Sequence, residues 1–227
     1  MINLIEKFKE LKSVGIYASS ELIYKGLNWA LLLILFFLSK DNPADYGLLA
    51  VLIAFERIVS VIIDFGQKRV IYRFYNDDSK ENSEFLSSTF TAWITVSLIV
   101  LMLFYLILIV SGEATFFEIP IKGLFGIELL NLLLLNIISF IYCLHRISKN
   151  IKEYAKILLI IGFSRFFLTI ILSISGLLVY DSYIWGMLIG LLLGIFHSKS
   201  LFKKYSISIK INFQIIKRNL LYGYPLV

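Results

Sequence analysis

The sequence predicts an all-α polytopic membrane protein, and three observations carry that prediction. Hydrophobic residues make up 59% of the 227 positions and the mean hydropathy is +0.83, with the apolar residues gathered in blocks rather than spread in an amphipathic rhythm. A hydrocarbon core about 30 Å thick needs roughly 20 apolar helical residues, and six such blocks run along the chain. Pro43 and Pro120 fall between blocks and Pro225 follows the last, so no block has proline in its interior. A transmembrane barrel would need shorter alternating strands with a polar lumen face, and these blocks are apolar on nearly every side.

The first twelve residues, MINLIEKFKELK, set Ile5, Phe8 and Leu11 on one side and charges on the other, which predicts an amphipathic interfacial helix. The blocks then span about 14–38, 46–72, 85–110, 123–144, 155–179 and 183–196; the last is short and has room to extend at either end. GMLIGLLLG places Gly186, Gly190 and Gly194 on one face of the sixth block, a close-packing surface for another helix. Beyond it YSISIKINF alternates with period two, as a short extended piece would, and FQIIKRNLL is amphipathic. The expected organisation is a six-helix lobe over 1–199, then a cytoplasmic connection and the start of a seventh helix over 200–227. A new apolar segment begins at LLYGYPLV, as expected for the amino-terminal part of a longer protein.

Lysines and arginines alternate with the connections. Lys7, Lys9 and Lys12 precede the first block, Lys68, Arg69, Arg73 and Lys80 cluster where the second ends, and Arg146, Lys149, Lys152 and Lys156 cluster after the fourth. Lys199, Lys203, Lys204, Lys210, Lys217 and Arg218 follow the sixth, whereas the other connections hold only Lys40 and Lys122. That bias puts the amino terminus and the even-numbered connections in the cytoplasm. The net charge of +6 follows from this topology and from anionic lipid heads, so nucleic acid is not needed as a partner.

Three cations remain inside the blocks: Lys25, Arg57 and Arg165. Each lies roughly 15 Å deep at 1.5 Å rise per residue, where a charge costs about 2.5 to 3.5 kcal/mol and is too far from water to snorkel easily. They are expected to converge on one interior space. Helical spacing lines Tyr17, Glu21, Lys25 and Asn28 on one face, and Arg57, Ser60, Asp64 and Lys68 on another. Arg165, Thr169, Ser173 and Gly176 make a third stripe, and Glu128 with Asn131 adds an acid and an amide. These charges have a plainer use as staples between helices: Glu21 to Lys25 at i, i+4, Arg57 to an acid on a neighbour, and Asp64 held at the interface by Lys68 and Arg69.

Signatures of other chemistry are missing from the sequence. There is no Gly-rich phosphate loop, nucleophile elbow or zinc signature, and no signal peptide is apparent. The single Cys143 excludes an internal disulfide; with His145 it makes no credible metal site, and His197 stands alone beside a lysine. No cofactor, metal or enzymatic activity is expected.

The order of these features resembles a known family. A lysine-rich start, a first helix and then NPADYGLLAVLIAFERIVSVIIDFGQKRVIYRF look like the polysaccharide flippases of the multidrug, oligosaccharidyl-lipid and polysaccharide exporter superfamily. In such proteins the second helix often opens on Tyr-Gly and ends in Asp-x-Gly followed by arginine; Tyr46, Gly47, Asp64, Gly66 and Arg73 occupy those places, and NLLYGYPL looks like the family's entry to helix seven. The resemblance implies an amino-terminal lobe of a two-lobed transporter in a bacterial cytoplasmic membrane, with helices one and two lining a central cavity. Its substrate would be a polyprenyl-pyrophosphate-linked oligosaccharide, its neighbours membrane lipids and polysaccharide assembly proteins. Lys25 and Arg57 would then bind phosphate with Arg165 in support, and Glu21, Glu56, Asp64 and Glu128 would balance charge or couple to an ion. Two alternatives stay open: a small-molecule or multidrug exporter of the same superfamily, indicated if acids dominated the cavity, and a membrane glycosyl polymerase or ligase, which would need a large outer loop.

Overall fold

A computed structural model of the chain describes residues 2–64, 66–75, 82–110, 115–116, 119–120 and 124–223. The fold is all-α, and among the described residues six helices are long and apolar enough to cross a membrane. The first is α1 (Ile2–Leu38), 37 residues long. The amphipathic start and the first block, expected as separate helices, form one continuous helix, because the Lys12-Ser13-Val14 join contains neither glycine nor proline to end it.

Block two divides. α2 (Pro43–Asp64) opens on a proline, whose missing N–H costs nothing in the first turn; α3 (Gln67–Phe74) begins after Gly66, which sits at φ 71°. That left-handed conformation is open to glycine without the Cβ clash other residues meet, so an unbroken span over 46–72 is corrected to a 22-residue span and a short separate helix. α4 (Asn82–Val110) follows, then a two-residue antiparallel pair, β1 (Thr115–Phe116) and β2 (Ile119–Pro120). α5 (Gly126–Ile147), α6 (Ile151–Ile174) and α7 (Val179–His197) complete the spans. α6 starts and ends four to five residues before the expected block, and α7 begins four residues earlier than expected, because Gly176 at φ 98° turns the chain between them. α8 (Lys199–Lys204) and α9 (Phe213–Gly223) lie beyond the bundle. The expected seventh helix opening at Pro225 falls outside the described residues.

The helices pack α1 on α6, α6 on α7 and α7 on α5, with α4 against α5 and α2 laid over α7, α5 and α4. α5 is central, burying Leu132, Ile138, Phe140, Ile141 and Leu144, whereas α1 and α4 keep most of their surface open. Small residues bring the α1, α6 and α7 backbones together, as the glycine spacing predicts. A Cβ on Gly194 would lie 2.7 Å from Ile161 Cγ1, one on Gly190 would lie 3.2 Å from the Ile161 carbonyl, and one on Gly162 would lie 2.9 Å from Tyr24 Cδ2.

The period-two segment is extended over 207–212. Two of its backbone N–H groups donate to α4 hydroxyls: Ser208 N–H to Ser87 Oγ (3.2 Å) and Lys210 N–H to Thr91 Oγ1 (3.2 Å). Asn212 Oδ1 caps α9 by accepting from the N–H of Gln214 (3.0 Å) and Ile215 (3.3 Å). α9 then lies on α3 and α4, with Asn219 donating to Thr89 Oγ1 (2.9 Å), Arg73 donating to Tyr222 Oη (2.6 Å) and Arg218 stacked 4.5 Å over Phe74.

Candidate functional site

Where α2, α5, α6 and α7 meet, four polar side chains face one another inside the bundle. Glu56 from α2 and Glu128 from α5 are 6% and 0% exposed and near enough to act on each other electrostatically. Tyr183 of α7 donates its hydroxyl to Glu56 Oε2 (3.2 Å). Asn131, one turn beyond Glu128, donates to Glu128 Oε2 (3.3 Å) and to the Ile184 carbonyl (3.1 Å), tying α5 to α7. Arg165 of α6 stacks 4.3 Å over the Tyr183 ring and is near enough to interact with both carboxyls and with Tyr24 of α1.

Atoms in this cluster remain without protein partners. Glu56 Oε1, Glu128 Oε1, Asn131 Oδ1, Thr169 Oγ1 and Arg165 Nε are all buried without a hydrogen bond.

The three midplane cations are not brought together. Arg165 enters the interior cluster, whereas Lys25 and Arg57 are exposed, and among the described residues neither makes an ion pair or a side-chain hydrogen bond. The expected convergence is corrected on this point, because α2 turns Glu56 inward and so directs Arg57, one residue or 100° further round, away from the core. Lys25 holds the expected depth at the middle of the span Leu11–Leu38. Arg57 is shallower than expected, seven residues or about 10 Å from the end of α2 at Asp64, since the helix breaks there.

The other acids have structural partners. Glu21 accepts a hydrogen bond from Tyr154 of α6, whose ring lies beside Tyr17 and Tyr142. Arg146 of α5 donates to the hydroxyls of Tyr17 and Tyr154, so this network ties α1, α5 and α6. Asp64 pairs with Lys68 at 3.4 Å across the α2–α3 break. Asp45 accepts from the N–H of Val179 at 2.7 Å, placing a carboxylate against the N-terminus of α7.

Tyr183 is a member of the interior cluster that sequence reasoning passed over, because an uncharged ring in an apolar block does not stand out. Its one usable signal was its place in the same apolar turn as Tyr180. Among the described residues no three His, Cys, Asp or Glu side chains converge in a way that could hold a metal ion.

Comparison with known proteins adds the decisive observation: the family model for polysaccharide biosynthesis proteins matches residues 42–227, from the start of α2 onward. The chain belongs to the polysaccharide biosynthesis protein family. No curated protein and no solved structure matches it. The family match takes in Glu56, Arg57, Glu128, Arg165 and Tyr183, whereas Glu21, Tyr24 and Lys25 of α1 precede it. For this polysaccharide biosynthesis protein the multi-pass helical architecture and the match agree on a membrane-associated role in polysaccharide biosynthesis.

Proposed function

We propose that this polysaccharide biosynthesis protein acts as a flippase for polyprenyl-pyrophosphate-linked oligosaccharide in a bacterial cytoplasmic membrane, its amino terminus facing the cytoplasm. The supporting observation is the pair of exposed cations, Lys25 on α1 and Arg57 on α2, each within a span that is otherwise strongly apolar. Charges at that depth need water, protein or an anion to receive them. A pyrophosphate supplies the anion: arginine can grip its oxygens through a planar fork, and lysine neutralises it as a point charge. Arg165, stacked on Tyr183 beside the two buried acids, has no part in the pair of exposed cations. Exposed cations on α1 and α2 favour an anionic substrate over the cationic compounds of a drug exporter. No enzymatic step is proposed.

The test is export per folded molecule in a strain whose surface polysaccharide depends on this gene. Arg57→Ala should lower export about ten- to a hundredfold, the loss of one charge-assisted hydrogen bond of roughly 1.5 to 3 kcal/mol, while lipid-linked oligosaccharide accumulates inside. Arg57→Lys should recover only part of the rate. Wild-type export per molecule in Arg57→Ala and Lys25→Ala would remove the substrate role from both residues.

A further inference from the structure

We infer that the pocket where α5, α6, α7 and α8 meet binds a phosphate group, held between the amino end of α6, the His145 imidazole and the Lys204 ammonium. The cavity measures about 280 Å3 and is lined by His145, Asn150, Glu153, His197, Ser200 and Lys204. α5 and α7 end there and α6 begins, so it lies at the end of the bundle that carries the basic connections.

Two independent observations point to an anion. A helix cannot bond its own first N–H groups, so a side chain, water or a ligand must receive them. At α6 the N-cap residue Asn150 makes no side-chain hydrogen bond to them, and the positive end of that helix opens on the pocket that Asn150 and Glu153 line. His145 is the second observation. It is 4% exposed, yet neither Nδ1 nor Nε2 has a hydrogen-bond partner in the protein. A neutral imidazole carries one N–H and a charged one carries two, so either form has a donor to offer, and a buried donor left unused is costly.

The charges around the pocket agree. Glu153 is the one acidic side chain that lines it, and both of its oxygens are engaged, Oε1 by Lys156 Nζ (3.4 Å) and Oε2 by His197 Nε2 (3.2 Å). Lys204 lines the cavity and makes no ion pair among the described residues. The carbonyl ends of α5 and α7 would repel an anion, but they are covered. His145 O accepts from the Asn150 N–H (2.9 Å), and Gly194 O accepts from the N–H (3.2 Å) and the hydroxyl (2.7 Å) of Ser198. What remains open is a set of donors, N–H, imidazole and ammonium, which suits the acceptor oxygens of a phosphate. A metal ion suits it less, because among the described residues no three His, Cys, Asp or Glu side chains converge to hold one. Lys25 and Arg57 do not line this pocket, so the inference stands apart from the flippase reading. The phosphate comes either from the headgroup of an anionic phospholipid or from solution.

The test uses the whole chain in dodecyl maltoside, a detergent without phosphate. In one arm inorganic phosphate is titrated by calorimetry. In the other, phosphatidylglycerol is added without inorganic phosphate and the lipid retained is counted by native mass spectrometry. Saturable heat identifies free phosphate as a ligand, and retained lipid without that heat identifies a headgroup. Lys204→Gln should weaken the binding by about tenfold. Asn150→Asp sets a carboxylate over the same N–H groups, as a good N-cap does; it should abolish the binding while the unfolding midpoint holds or rises, which separates a lost site from a damaged fold. A wild-type protein that gives neither heat nor retained lipid overturns the proposal, and so does binding that both substitutions leave unchanged.

Discussion

Asp45 shows how one side chain on one helix can hold the end of another. It is 5% exposed, lies in the first turn of α2 and accepts from the N–H of Val179 and Tyr180 at the start of α7. Asp45→Ala leaves those N–H groups without a partner and should cost about 1 kcal/mol, within a range of 0.5 to 2, read as a lower midpoint of detergent-induced unfolding. Tyr154→Phe removes the hydroxyl that joins Glu21 to Arg146; it should destabilise by roughly 1 to 3 kcal/mol and leave Glu21 seeking water. At this scale the sequence was legible by chemistry and not by direction. Glu56, Glu128 and Arg165 stand out because a charge in an apolar run needs a reason, and all three are in the interior cluster. The outward placement of Lys25 and Arg57 was not legible, since a polar stripe on an apolar helix shows which residues share a face and not whether that face meets protein. Tyr24 and Tyr183 carried no charge to draw notice.

Glycine placement decides the shape of the elements. Gly66 at φ 71° is the pivot between α2 and α3, and Gly66→Ala should cost about 1 to 2 kcal/mol through the left-handed penalty, measured by the same unfolding assay. Gly194→Leu is expected to do more: the added side chain meets Ile161, whose Cγ1 would lie 2.7 Å from even a Cβ there, so α6 and α7 must part. Overpacking of that kind costs roughly 1 to 3 kcal/mol, and a pair of spin labels on the two helices should report a longer distance. The packing role of that glycine face followed from its four-residue spacing alone. The break at Gly66 did not, because glycine within an apolar run is tolerated in membrane helices and only its φ reveals a stop. Likewise the join of the amphipathic start to the first span shows that a change in surface chemistry need not end a helix.

Across the whole molecule consecutive spans alternate in direction, so α1 packs parallel to α6 and α7 packs parallel to α2 and α5, and contacts between distant segments gather the basic connections at one end. Arg73 meets Tyr222, Arg146 meets Tyr17 and Tyr154, and Ser208 meets Ser87 there, while Asp45 meets Val179 at the other end. Cysteines at Asn42 and Ser175, with Cys143 replaced, should therefore label with an impermeant thiol reagent from outside, and one at Lys203 only after permeabilisation. Labelling of Lys203 in intact cells would reverse the orientation. The number of spans was legible because length and hydropathy are local properties. Their neighbours were not, since α1 lies on α6 and α2 on α7 through contacts more than a hundred residues apart in sequence.

The extended strap over 207–212 has a mechanical consequence. Bonded through its own backbone to Ser87 and Thr91, it fixes α9 to the rim of α4. α4 in turn grips α5 through Asn136 and Ser97 at 2.6 Å, two turns along from Glu128. Strap, α4 and α5 thus mesh like successive teeth, a hydrogen-bonded series from α9 to the helix that carries Glu128. Ser87→Ala with Thr91→Val should disengage the first tooth, seen as faster hydrogen exchange confined to the strap and α9 while α5 keeps its protection.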